Sequence, residues 1–204
     1  AAWAENLRRY LGRALNQLDA KDASVSAAED GVLLWDRING YPVVSKDGEW
    51  RQVVLEDGQY AGGVTTDQTA ASINTAYALT YTSSVADGIT NGTPASRLVF
   101  EEAGQYMVSF SAQIASTSSS TVNFWFWPRV NGTDVAGSTM KNALHQNGSV
   151  LVVSRSAIFE FAAGDYLEAM WAVDSTSGFL DATAATAFAP AAPASTIAIT
   201  RLHG

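Results

Sequence analysis

Between residues 104 and 114 the chain alternates with a period of two. Tyr106, Val108, Phe110, Ala112 and Ile114 fall on one side, and Gln105, Ser109, Ser111 and Gln113 on the other. That period belongs to an extended strand with one face in a core and one outside it. From residue 73 onward, short runs of β-branched and aromatic residues predict strands over 77–82, 97–100, 105–114, 122–130, 150–161, 166–174 and 196–202. Turn pairs separate them, among them Asp87-Gly88, Asn131-Gly132, Asn147-Gly148 and Ala163-Gly164. Several short strands with regular turns and no helical period predict a β-sandwich or jelly roll.

Two of the strands break the alternation. In 123–130, Phe124, Phe126 and Pro128 point one way, and Trp125, Trp127 and Arg129 the other. In 165–173, Leu167, Ala169, Trp171 and Val173 share one face, while Tyr166, Met170 and Ala172 share the other with Glu168. Strands that are apolar on both faces need cover on both. One face fills a sandwich core, and the natural cover for the second is another copy of the same domain. The aromatic row 124–127 has a competing reading as an exposed stacking platform for a glycan. The pattern favours burial. Pro128 removes a ladder donor, so its strand needs a bulge or an edge at that point.

The N-terminal third is patterned differently. Trp3, Leu7, Leu11, Ala14, Leu15 and Leu18 recur at spacings of three and four, which predicts a helix over 3–20. A helix this short is marginal alone and needs a surface to dock on. That surface is its own domain, another subunit or a different protein. Residues 30–57 read as a small meander, with Asn39-Gly40 and Asp47-Gly48 as its turns. So small a piece is not expected to be stable by itself. Residues 1–67 hold 18 of the 32 charged residues, which marks a boundary near the Gly-rich stretch 60–72. The resulting division is 1–28 helix and linker, 29–60 meander, 61–72 linker and 73–204 sandwich.

Four stretches in order carry a resemblance: "LVFEEAGQYMVSFSAQI" (98–114), "VNFWFWPRVNGTDVAGST" (122–139), "FEFAAGDYLEAMWA" (159–172) and "ASTIAITRL" (194–202). Together they resemble C1q/TNF-like jelly-roll domains, in particular those of bacteriophage structural proteins, over about 73–204. The resemblance implies a ten-strand jelly roll in a tight homotrimer, with apolar side chains along the threefold axis. On that footing the trimer-interface or core residues are Tyr106, Phe110, Phe124, Trp125, Phe126, Trp127, Tyr166, Met170 and Trp171. The anchoring helix contributes Trp3, Leu7, Leu11, Leu15 and Leu18. The collagen repeat that accompanies animal C1q domains is absent here, so their immune role is not carried over. The loop 175–195 is Ala- and Pro-rich, and its packing is left open.

Composition narrows the chemistry. The net charge is −8 with no basic cluster beyond Arg8-Arg9 and Arg13, which argues against nucleic acid. No Cys is present, so disulfides and thiol chemistry are excluded. No apolar run reaches the length of a membrane span, and the opening stretch lacks the layout of a secretion signal. The only histidines are His145 and His203, and no Gly-Xaa-Ser-Xaa-Gly elbow occurs, so a Ser–His hydrolase has little support. Glu101, Glu102, Asp165 and Glu168 are available as a glycosidase pair, but turn positions account for them. Some relatives bind Ca²⁺ near the threefold axis. Asp87, Asp134, Asp174 and Asp181 lie in or near loops, yet no calcium-loop spacing joins them. Carboxylates bonding their own turns explain them. No enzyme activity, cofactor or metal is therefore expected.

The expectation is a mainly β chain that acts in the virion of a tailed phage. It would be a homotrimeric capsid decoration or cement protein, held to the major capsid protein or another virion protein through residues 1–60, with its knob outward. One alternative is a short tail or head fibre whose knob binds a host-surface glycan or receptor. A further alternative is a cellular C1q-like recognition module.

Overall fold

The protein, seen in a computed structural model, is described here over residues 33–36, 41–52 and 58–203. The expected helix 3–20, with Trp3, Leu7, Leu11, Leu15 and Leu18, lies outside the described residues. The chain falls into two units, 1–55 and 56–204.

In the first unit, β1 (Leu33–Asp36), β2 (Tyr41–Lys46) and β3 (Glu49–Gln52) form an antiparallel sheet in the order β1-β2-β3. Asp47 and Gly48 have φ of 54° and 78°. Two left-handed residues in a two-residue loop match the right-handed twist of the strands they join. The three-strand meander read from the sequence is present.

The second unit is a sandwich of two antiparallel sheets. Its strands are β4 (Gln59–Val64), β5 (Gln68–Thr69), β6 (Tyr77–Ala78), β7 (Thr82–Asp87), β8 (Ile89–Asn91), β9 (Leu98–Phe100) and β10 (Gly104–Ser116). They continue with β11 (Val122–Val130), β12 (Thr133–Asp134), β13 (Met140–Leu144), β14 (Val150–Phe161), β15 (Tyr166–Val173), β16 (Gly178–Leu180) and β17 (Ser195–His203). One sheet runs β7-β4-β17-β10-β14, extended past β17 by β16 and β5. The other has β11 and β15 at its centre, with β12 and β13 outside β11 and β9 and β8 outside β15. Consecutive strands repeatedly change sheets, so most pairings join distant parts of the chain.

The core lies between the sheets. Phe100 stacks on Phe161 at 3.7 Å between ring centroids, and Tyr106 meets Phe100 edge-on at 4.8 Å. Phe124, Phe126 and Trp171 are fully buried on the inward side of β11 and β15. Each such side chain contributes ~1.5–3 kcal/mol by leaving water. Pro128 sits inside β11, paired with Ala169 of β15. Its carbonyl accepts from Val135 N on the opposite edge. A strand residue's N and O point to the same edge, so the missing donor also faces that side. There β13 stops at Phe126 and β12 starts at Arg129, and no ladder bond is owed.

The stretch 61–72 departs from its reading as a linker. β4 pairs with β17 on one side and β7 on the other, and β5 pairs with β16. Of the glycines that look like a hinge, Gly62 is there for close approach. A Cβ on Gly62 would come within 2.9 Å of the Tyr60 ring and 3.0 Å of Tyr81 Cβ. Strands β7 and β13 were not foreseen either. β7 is exposed along its whole length, so burial leaves no alternation in it.

Candidate functional site

Two surfaces of the sandwich stand out, one on each sheet. The first is the outer face of the β7-β4-β17-β10-β14 sheet. Across β10 and β14, Met107 faces Ile158, Ser109 faces Ser156, Ser111 faces Ser154 and Gln113 faces Val152. On the other side of β10, Thr200, Ala198 and Thr196 of β17 continue these rows, with Ala61 and Gly63 of β4 beyond. None of these side chains is charged. The hydroxyls in the middle bond one another: Ser109 to Ser156 at 2.9 Å and Ser111 to Thr196 at 2.7 Å. Hydroxyls already paired lose little when water leaves.

Apolar side chains border this face at both ends. Ile158 is 62% exposed and Met107 41% at one end, and Val152 is 59% exposed and Val150 53% at the other. Three of the four lie on β14, a strand of twelve residues that pairs, among the described residues, with β10 alone. A long apolar edge strand is a template for another chain unless it is covered.

The second surface is a groove on the outside of the opposite sheet. β11 sends Phe124 and Phe126 inward, so Trp125 and Trp127 emerge outward and half-buried. They stand between the 134–139 loop and the segment around Asn74 and Ala76, with Ala172 as floor, in an open groove of about 470 Å³. Lys141, directly across the ladder from Trp125, holds its Nζ 5.4 Å from the ring centroid. Asp134 accepts from Arg129 Nε at 2.7 Å. That hydrogen bond first, and the nearby Trp127 indole N–H second, hold the Asp134 carboxyl below its ordinary value. The indole N–H is close enough for its dipole to act but makes no hydrogen bond of normal geometry, and Nε1 is buried without a partner.

The nine residues expected at an interface or core go to several places. Tyr106, Phe124, Phe126, Met170 and Trp171 are buried, and Phe110 packs on the core, its ring 5.4 Å from Phe126. Tyr166 is half-buried under the Arg97 guanidinium, 4.3 Å from its ring centroid. Trp125 and Trp127 line the groove. None of the nine lies on the uncharged face. Its apolar border, Met107, Val150, Val152 and Ile158, escaped the sequence reading. The signal was there in 150–161, where the outward positions run Val150, Val152, Ser154, Ser156, Ile158 and Glu160, apolar on either side of the two serines.

The loop carboxylates are bonded, but not only to their own turns as the sequence suggested: Asp174 and Asp67 tie to segments far along the chain. Asp174 accepts from the backbone and side-chain nitrogens of Asn123 at 2.8 and 2.6 Å. Asp165 accepts from Asn131 Nδ2 and Ala162 N, and Asp67 accepts from Ala182 N. Glu168 is buried and accepts from Ser96 Oγ at 2.9 Å. Asp181 accepts from Thr183 Oγ1 at 3.2 Å.

Strand order and register define the class, a mainly β sandwich of jelly-roll type. No protein-family model matches the chain, and no curated protein does. Among solved structures it is similar to Eiger TNF from S. frugiperda, at 12% identity, TM-score 0.48, over 72% of this chain and 93% of that one. It is similar as well to murine APRIL, at 7% identity, TM-score 0.47, over 72% of this chain and all of that one, 100%. Likeness this distant adds nothing about function.

Proposed function

We propose that the chain is a non-catalytic structural protein. It assembles as a homotrimer through the outer face of the β7-β4-β17-β10-β14 sheet. It serves in a tailed-phage virion as a capsid decoration protein, residues 1–60 against the coat and the sandwich outward. One observation carries the assembly: the central rows of this sheet face are uncharged, their hydroxyls mutually bonded, and they are bordered by exposed Met107, Ile158, Val150 and Val152 on and beside β14, an edge strand among the described residues, while Glu160 and Asp87 stand at the rim. Such a face costs little to dehydrate and gains from burial. The virion setting draws on the four phage-like stretches and on the separate unit 1–55.

The fibre reading draws on the Trp125–Trp127 groove, which would lie outside such a trimer contact. Two measurements decide. Sedimentation at micromolar concentration should give three times the 21.6 kDa chain mass, and a monomer there overturns the assembly. Capsids stripped of the protein should rupture at lower temperature while host adsorption stays normal. An unchanged rupture temperature with lost adsorption replaces decoration by the fibre.

A further inference from the structure

We infer that the groove containing Trp125 and Trp127 is a binding site for a neutral carbohydrate. The inference is independent of the assembly reading, since the groove belongs to the other sheet and lies within one protomer.

The ligand class follows from the lining. Trp125 and Trp127 sit two residues apart on one side of a strand, so they are spaced by roughly 6.7 Å. Pyranose rings carry apolar C–H faces that pack on indoles, and a row of two indoles suits a chain of sugars better than one compact ligand. Around the indoles stand short polar side chains able to meet hydroxyls: Asn74 and Thr139 on the two walls, and Asp134 beside Trp127. One of these side chains, Asp134, and the backbone that carries another, Asn74, are held in advance. Asn74 donates its backbone N–H to Val173 O at 2.8 Å, and Asp134 is fixed by Arg129. Preset groups lose little freedom when a ligand arrives.

Charge selects among sugars. Among the described residues Asp134 is the one charged residue of the lining, and Arg129 at 2.7 Å compensates it. Lys141 adds one cation beside Trp125, on a chain of net charge −8 that as a whole repels anionic polymers. The buried Trp127 N–H lacks a partner. A hydroxyl settling between it and the Asp134 carboxylate, after a small shift of that exposed side chain, would accept from one and donate to the other. A purely apolar ligand would leave that pair unmet. The volume of about 470 Å³ lies within the roughly 300–1,000 Å³ usual for ligand sites.

The test uses the full chain and neutral hexaoses of glucose, mannose and galactose in α and β linkage, each titrated by tryptophan fluorescence and saturation-transfer NMR. At least one should bind saturably. Trp125→Ala should weaken it tenfold or more. Ala136→Arg, an exposed wall position remote from the core, should block it, and retained folding of that variant excludes a structural artefact. Ile158→Asp, on the opposite sheet, should leave affinity unchanged whatever it does to assembly. The inference is overturned if no hexaose binds saturably, if only an anionic polymer such as heparin binds, or if affinity is unchanged in either groove variant.

Discussion

Ile158 lies directly opposite Met107 across the β10–β14 pair, and both side chains stand out of the sheet into solvent. Inward neighbours on the same strands, Tyr106 and Val108, are buried. The pleat thus gives one strand pair two apolar surfaces, one used inside the protomer and one left open.

Ile158→Asp places a charge in the open surface without touching the core. The protomer should stay folded, within ~0.5 kcal/mol of the parent as for other surface changes. Its sedimentation should shift from trimer to monomer, because an unpaired charge would be buried in each contact. Circular dichroism and sedimentation on one sample check both halves. A variant that remains fully trimeric would remove this face from the assembly.

Gly178→Ala tests packing where β16 crosses the core. The added Cβ would come 2.7 Å from Phe124 Cζ, Val122 Cγ1 and Val173 Cγ2. All three side chains are fully buried, so none can swing away. Overpacking of this kind costs about 1–3 kcal/mol. Denaturant titration should show a lower midpoint with an unchanged slope.

Asn131 ties the β11–β12 turn to the start of β15. With φ of 48° it precedes Gly132 at 79°, as the tight turn requires. Its Nδ2 donates to Asp165 Oδ1 at 2.7 Å, and its Oδ1 accepts from Tyr166 N at 2.9 Å. Asn131→Ala should cost ~0.5–1.5 kcal/mol, because both hydrogen bonds are exposed and water takes over the freed groups. Asn131→Asp should be worse near neutral pH, where two carboxylates meet, and should recover on acidification, when one of them can donate. Stability curves for both variants at neutral and acid pH check the contrast.

Tyr81 sets a response to alkali. Ser195 Oγ donates to Ser111 O at 2.8 Å, so the 3.1 Å contact between Tyr81 and Ser195 has the phenol as donor. Burial pushes the Tyr81 phenol well above its ordinary 10.0, against a smaller lowering by the Ser195 bond. The unfolded chain releases this proton above pH ~10 while the folded chain keeps it. This contribution to stability is therefore whole below pH ~10 and falls as pH rises further, by up to about 1.4 kcal/mol per pH unit. Tyr60 and Tyr106, both raised chiefly by burial, act in the same sense. Tyr81→Phe should flatten the alkaline slope and lower stability at pH 7 by ~0.5–1.5 kcal/mol through the lost hydrogen bond. Urea titrations from pH 7 to 11 check both effects.

The alternation in 104–114 was legible because one face of β10 meets a core and the other meets solvent, and a period of two survives that difference. The turn pairs were legible because positive φ selects Asn, Asp and Gly locally. By contrast β4 hid behind two glycines, and what makes Gly62 necessary is Tyr60 and Tyr81. Tyr81 is brought there only by folding. β7 hid because every one of its residues is exposed.

For the aromatic row, sequence alone settled that 124–127 is strand with two apolar faces, a consequence of the pleat. Which side is core, and what the other side meets, was decided by tertiary structure. The second sheet takes in Phe124 and Phe126, while Trp125 and Trp127 are left facing a groove walled by the 134–139 loop and the segment around Asn74. For the border of the first sheet, the sequence of 150–161 held the apolar positions but not the fact that they stay exposed. Whether Val152 and Ile158 are covered depends on β14 being an edge strand, and strand order is fixed by pairings between distant residues, which no local pattern records.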